Sequence, residues 1–141
     1  MLTDVILDTG PLGMIAHPNR NKEVVERLAR LLDSGVRVYL PEISDYELRR
    51  SLLREDLHDS VKCLDDLKAV LEYLPLTTDA MKLAAQFWSD IRKKHRPTAD
   101  DKALDGDVIL AAQAKEVSAV VVTDNVKHLD QFVDVMSWKE L

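Results

Sequence analysis

An α/β fold on a parallel sheet is what this sequence predicts, from three observations. Val5-Ile6-Leu7 and Ala119-Val120-Val121-Val122 are continuous apolar runs without polar alternation, as in strands covered on both faces. A third run, Val36-Arg37-Val38-Tyr39-Leu40, is rich in β-branched residues and follows a Ser34-Gly35 break. Segments of helical spacing lie between these runs, and strands alternating with helices pack as layers around a parallel sheet.

The helical segments follow in order. Val24, Val25, Leu28, Leu31 and Leu32 keep one face, and Gly35 supplies a stop. Residues 43–53 continue the pattern with Tyr46, Leu48, Leu52 and Leu53. Leu64, Leu67, Leu71 and Leu74 recur at three- and four-residue steps before Pro75, which predicts one helix through Leu74. Residues 80–91 carry Met81, Ala84, Ala85, Phe87 and Trp88. Residues 107–117 are apolar and alanine-rich and read as a buried helix packed close on the sheet. Pro97 and Thr98 break residues 92–102 into a loop. With no internal repeat, linker or low-complexity stretch, residues 1–141 read as one domain.

Composition narrows the class. A hydrophobic fraction of 46% is that of a globular chain, not a disordered one. No apolar run approaches the roughly 18 residues of a membrane span. The first residues lack a basic stretch, an apolar core and a small-residue cleavage site, so no secretion signal is expected. Cys63 is the lone cysteine; it excludes an internal disulfide, fits the reducing cytoplasm and sits in a leucine-rich segment as a core thiol. The net charge of −6 argues against a general nucleic-acid binder. It leaves room for an enzyme that reaches nucleic acid through a metal and a local basic patch.

Asp8 closes the first run and Asp124 closes the last. In parallel sheets, sites form beyond the carboxyl ends of the strands. Each Asp alone reads equally well as a helix cap or turn residue. Asp105 and Asp107, at the start of the alanine-rich helix with Asp100 and Asp101 close by, are harder to explain, because one N-cap needs one acid. Negative charge gathered beside a buried helix is costly unless a cation compensates it. A hard divalent ion such as Mg²⁺, with its preference for oxygen ligands, is the economical candidate. Glu47 has a plainer reading: Ser44-x-x-Glu47 matches a capping box, with Ser44 as N-cap. The same helix follows the strand ending at Leu40, which sets Glu47 near the edge that carries Asp8. Arg49, Arg50 and Arg54 could meet phosphates or a partner's acids, with a solvated helix face as the plainer reading, above all for Arg54.

The order of Asp8 at a strand end, Glu47 in "YELRR", Asp107 opening "DVILAAQA" and Asp124 in "VVTDNVKHL" resembles the PIN-domain family, and within it the VapC-type toxins. The likeness runs over essentially the whole chain. It implies a Rossmann-like three-layer α/β/α fold with a central parallel sheet. It also implies a ribonuclease whose acids hold Mg²⁺ or Mn²⁺: Asp8 first, Glu47 second, Asp107 third, with Asp105 assisting. The family's last acid often stands two residues after the threonine; here that place holds Asn125, so either Asp124 or Asn125 serves there. An RNA substrate, a cognate antitoxin and a homodimer follow from the same likeness.

Metal-assisted phosphodiester hydrolysis suits these residue types, since it needs carboxylate oxygens and no protein nucleophile. His17, His58, His95 and His128 show no paired metal spacing, and only His128 lies near a site motif. A haloacid-dehalogenase phosphatase would want an acid at position 10, which is Gly. A receiver domain would want a phospho-accepting Asp on a middle strand, but the second strand ends in Leu40-Pro41. The remaining alternative is a catalytically weak PIN-like module that acts by binding protein.

Overall fold

Val5, Ile6 and Leu7 form strand β1 (Val5–Leu7), and their side chains alternate between two cores. The computed structural model describes residues 3–94 and 101–141, apart from the side chains of residues 101–103 and 128. After β1 come helix α1 (Thr9–Ile15), helix α2 (Lys22–Asp33), strand β2 (Val38–Pro41), helix α3 (Glu42–Arg54) and helix α4 (His58–Val70). Strand β3 (Glu72–Leu74), helix α5 (Thr78–Lys94), helix α6 (Asp101–Glu116) and strand β4 (Val120–Thr123) follow. Helix α7 (Val126–Leu129), strand β5 (Val135–Ser137) and a 3₁₀ turn (Trp138–Glu140) complete the chain.

The described strands form one five-stranded parallel sheet in the order β3-β2-β1-β4-β5. Val5, Leu7, Val38, Leu40 and Val122 face a core closed by Leu12, Val24, Leu28, Leu48, Leu52 and Leu64 of α1 to α4. Ile6, Tyr39 and Val121 face the other way, onto Leu110 and Ala114 of α6. Helix α5 packs on α6 through Ala80, Ala84, Leu104 and Val108. The result is the three-layer α/β/α sandwich. Chain direction across the sheet reverses between β1 and β4, so the crevice at their carboxyl ends is the switch point where such folds place their sites.

Several elements differ from expectation. The leucine spacing does not carry α4 through Leu74: the helix stops at Val70, and Glu72–Leu74 pair with β2 as an edge strand. Helix α3 starts at Glu42 behind Pro41, so Ser44 is no N-cap and the capping box does not form. Ser44 is instead fully buried, and its hydroxyl donates to the Leu7 carbonyl at 2.8 Å. Helix α6 starts at Asp101, which puts Asp105 and Asp107 inside the helix, not at its cap. Of the loop expected over residues 92–102, Arg92 to Lys94 belong to α5 and Asp101 and Lys102 to α6; residues 95–100, with Pro97, Thr98 and Asp100, lie outside the described residues.

Helix ends explain the positive dihedrals. Gly35 (φ 85) follows α2, and the Val36 N–H reaches back to the Leu31 carbonyl at 3.0 Å, the stop expected of glycine. Asp56 (φ 56) does the same after α3, where the Leu57 N–H meets the Leu52 carbonyl at 2.9 Å. A left-handed non-glycine residue is strained, while glycine is not. Asp56→Gly is therefore expected to stabilise the protein by roughly 0.5–1 kcal/mol. A thermal melt checks this, and an unchanged or lower Tm would exclude strain at this turn.

Candidate functional site

Asp8 follows β1 directly. Its backbone is extended, and its N–H donates to the Val122 carbonyl of β4 at 2.9 Å, which fixes the residue across the β1–β4 crevice. One carboxylate oxygen accepts from the Thr9 N–H at 2.7 Å, so Asp8 does cap α1. The other accepts from the Thr123 hydroxyl at 2.7 Å. Thr123 is fully buried, and its hydroxyl oxygen accepts from the Asn125 N–H at 3.0 Å, which leaves its proton for Asp8. A carboxylate has about four lone-pair directions. Capping therefore uses only part of this group, and the two roles weighed for Asp8 are compatible.

Glu47 comes to the same place from α3. The Thr9 hydroxyl donates to one of its oxygens at 3.2 Å. Its other oxygen lies over Gly106 of α6, only 2.5 Å from where a Cβ on that glycine would stand. Two buried contacts anchor the segment behind it. Ser44 ties α3 to the end of β1. The Gln113 amide, inside α6, donates to the Leu74 carbonyl at 3.0 Å and accepts from the Ile43 N–H at 3.4 Å. Asp45, Arg49, Asp65 and Lys68 then clamp α3 to α4, with Arg49 at 2.9 Å from Asp45 and 2.7 Å from Asp65.

Asp124, exposed beyond β4, hangs its carboxylate over the bare backbone of Gly10. Asp8, Glu47 and Asp124 thus share one crevice, and the protonation of Asp8 and Glu47 reflects it. Burial pushes the Asp8 carboxyl above its ordinary value; the Thr123 and Thr9 hydrogen bonds oppose this, and Asp124 adds repulsion. Burial likewise raises Glu47, against the Thr9 hydrogen bond, with Asp8 repelling it and Arg50 drawing it down.

The acids of α6 divide. Asp105 is exposed and lines the groove between α5 and α6 with Ala84, Trp88 and Val108. Asp107 lies about 200° further round the helix by the α-helical repeat, half-buried on the flank away from that groove. Among the described residues no group of three or more His, Cys, Asp or Glu side chains is arranged to hold a metal as it stands.

Arg50 stands at the rim, 3.8 Å from Glu47, while Arg54 is a solvated residue beside Glu55. Cys63 is half-buried in α4. His17 and His58 lie apart on exposed positions, and His95 and the His128 side chain fall outside the described residues. Sequence reasoning missed Thr9 and Thr123. Their signal was adjacency: one threonine follows the first strand-end acid and the other precedes the last.

Comparison with known proteins agrees with this fold. A family model described as PIN domain matches residues 5–132. No curated protein sequence matches the chain. Among solved structures, it is similar to VapBC-1 from nontypeable Haemophilus influenzae, with 22% identity, a TM-score of 0.74 and coverage of 96% of this chain and 98% of that one. VapBC2 from Rickettsia felis, bound to a DNA fragment from its promoter, superposes at TM-score 0.78 with 16% identity, covering 95% and 98%. FitAcB from Neisseria gonorrhoeae is 27% identical at TM-score 0.62, covering 97% and 99%. With the switch-point acids, the parallel five-stranded sheet and a family match over nearly the whole length, the chain belongs to the PIN domain family.

Proposed function

We propose that this protein is a Mg²⁺- or Mn²⁺-dependent endoribonuclease and the toxin of a type II toxin–antitoxin pair. The observation that carries the reading is the gathering of Asp8, Glu47 and Asp124 at the β1–β4 switch point, where burial opposes ionisation of Asp8 and Glu47 and a neighbouring carboxylate adds repulsion to each. A divalent cation relieves both costs. The donor chemistry fits a hard ion: carboxylate oxygens on rigid elements, with lone pairs left on Asp8 and Glu47 after their threonine bonds.

In this reading Asp8, Glu47 and Asp107 hold the ion. Asp124 supplies the fourth acid in place of Asn125, since it already overhangs Gly10 beside Asp8. Asp105 opens toward α5 and joins only by turning from that groove. When bound, the ion supplies positive charge that favours ionisation of an attacking water and offsets charge developing on the phosphodiester. The chain's own residues do the positioning. Thr123 and the Thr9 N–H orient Asp8, and the Thr9 hydroxyl orients Glu47. The likeness to the VapBC and FitAcB structures supports an antitoxin partner. A homodimer and a cytoplasmic setting accompany the proposal. No helix among the described residues is long and apolar enough to cross a membrane.

Purified protein is expected to cut RNA in Mg²⁺ or Mn²⁺ and to stop in chelator. Cleavage that persists in chelator would exclude the metal chemistry. Failure to cut any RNA offered, with metal present and no partner bound, would favour a module that acts by binding protein.

A further inference from the structure

We propose that Tyr46 and Arg50 form a binding subsite for one nucleotide of single-stranded RNA beside the acid crevice, the base stacked on Tyr46 and the phosphate on Arg50. The proposal rests on the ribonuclease reading and extends it to how substrate is held.

Helix geometry separates the two faces. Glu47 turns inward to Thr9, while Tyr46, one residue earlier, points to the rim and is 57% exposed. Arg50 lies one turn on from Tyr46, its guanidinium 5.0 Å from the ring centroid and 3.8 Å from Glu47. Both contacts are loose, and the Arg50 side chain is 58% exposed. Neighbouring Arg49 is different: it is held at 2.9 Å and 2.7 Å by Asp45 and Asp65, so it serves the fold. Arg50 costs the fold little to release.

Electrostatics gives this release a use. A chain of net charge −6 with clustered acids repels a polyanion, so a cation at the rim of the crevice is needed to bring a phosphate in. A bound cation at Glu47 would also displace Arg50 from its present partner and free it for that phosphate. An exposed aromatic face one helical turn from such a cation matches how single strands are held, by base stacking and backbone charge together. Leu53 and Leu57, also exposed nearby, extend an apolar stripe away from the crevice and would suit a protein contact. The subsite is confined to the pair that reaches Glu47.

The test is fluorescence anisotropy with a labelled single-stranded RNA oligomer on the wild-type background, with Ca²⁺ in place of Mg²⁺ to suppress cleavage and melting temperature measured alongside. Tyr46→Ala is expected to weaken binding about 5- to 150-fold, the range of one lost base stack, and Tyr46→Phe to restore it. Arg50→Gln is expected to reduce the salt dependence by about 0.7 in log–log slope, the value of one phosphate contact. Unchanged affinity in Tyr46→Ala, with the parent binding RNA, would overturn the subsite and leave the ribonuclease reading standing. The same result with a lost homodimer or antitoxin contact would assign the ring to a protein interface and also overturn it. A wild type that neither binds nor cuts RNA would remove both.

Discussion

Asp8→Asn is expected to lose RNA cleavage by orders of magnitude while keeping its fold. Asn caps a helix about as well as Asp, so the bond from the Thr9 N–H survives. The Thr123 hydroxyl loses its carboxylate acceptor, a cost of about 1 kcal/mol. Against this, the change removes a charge that burial and Asp124 both disfavour. The sign follows from that upward shift. A carboxyl held above its ordinary value of 3.8 contributes stability at low pH and loses it as pH rises through the raised value. Metal-free wild type should therefore fall behind Asp8→Asn in Tm as pH climbs above that range, and the gap should close in acid. Activity moves the other way. A metal's charge stabilisation is worth several kcal/mol, and each ~1.4 kcal/mol is tenfold in rate. Cleavage assays and melts on one preparation check both halves. An active Asp8→Asn would reduce Asp8 to a cap.

Gly106→Ala should separate stability from activity. Gly106 lies inside α6, where alanine is favoured over glycine by about 0.5–1 kcal/mol. The new methyl would meet the Glu47 carboxylate, with one oxygen 2.5 Å and the carboxyl carbon 3.2 Å from the Cβ position. The end of a long side chain can move, so the fold should keep most of the gain. Glu47 would lose its place beside Thr9 and its line to Asp8. The expected result is an equal or higher Tm with cleavage reduced about tenfold or more, since a small misplacement of a positioning group can cost up to about 100-fold. Full activity in Gly106→Ala would show that the present position of Glu47 does not matter.

The central strands and the strand-end acids were legible because their signals are strong. Val5-Ile6-Leu7 and Val120-Val121-Val122 are apolar without alternation, and both interior faces of the sheet are covered. The edges were not legible. β3 is three residues long, and Leu71 and Leu74 continue the spacing of α4, so tertiary pairing with β2 alone ends the helix. β5 is equally short and half-buried. Helix α1 begins Thr9-Gly10-Pro11, which reads as a turn, yet a proline in the first helical turn removes only an N–H that has no partner there. Ser44 misled for a physical reason. Serine followed by Glu three residues later is a capping signature, but here the hydroxyl is satisfied by the Leu7 carbonyl of another element. That bond helps to set Glu47 beside Asp8. A long-range contact of this kind leaves no trace in local spacing. The inward turn of Asp124 is similar: it depends on Gly10, 114 positions earlier in the numbering, having no side chain.

The most direct measurement is a calorimetric titration of Mn²⁺ into wild type and into Asp8→Asn at neutral pH. The account predicts saturable binding to wild type and loss of that binding in the variant. Equal binding by both proteins, or none by wild type, would contradict the claim that the switch-point carboxylates form a metal site.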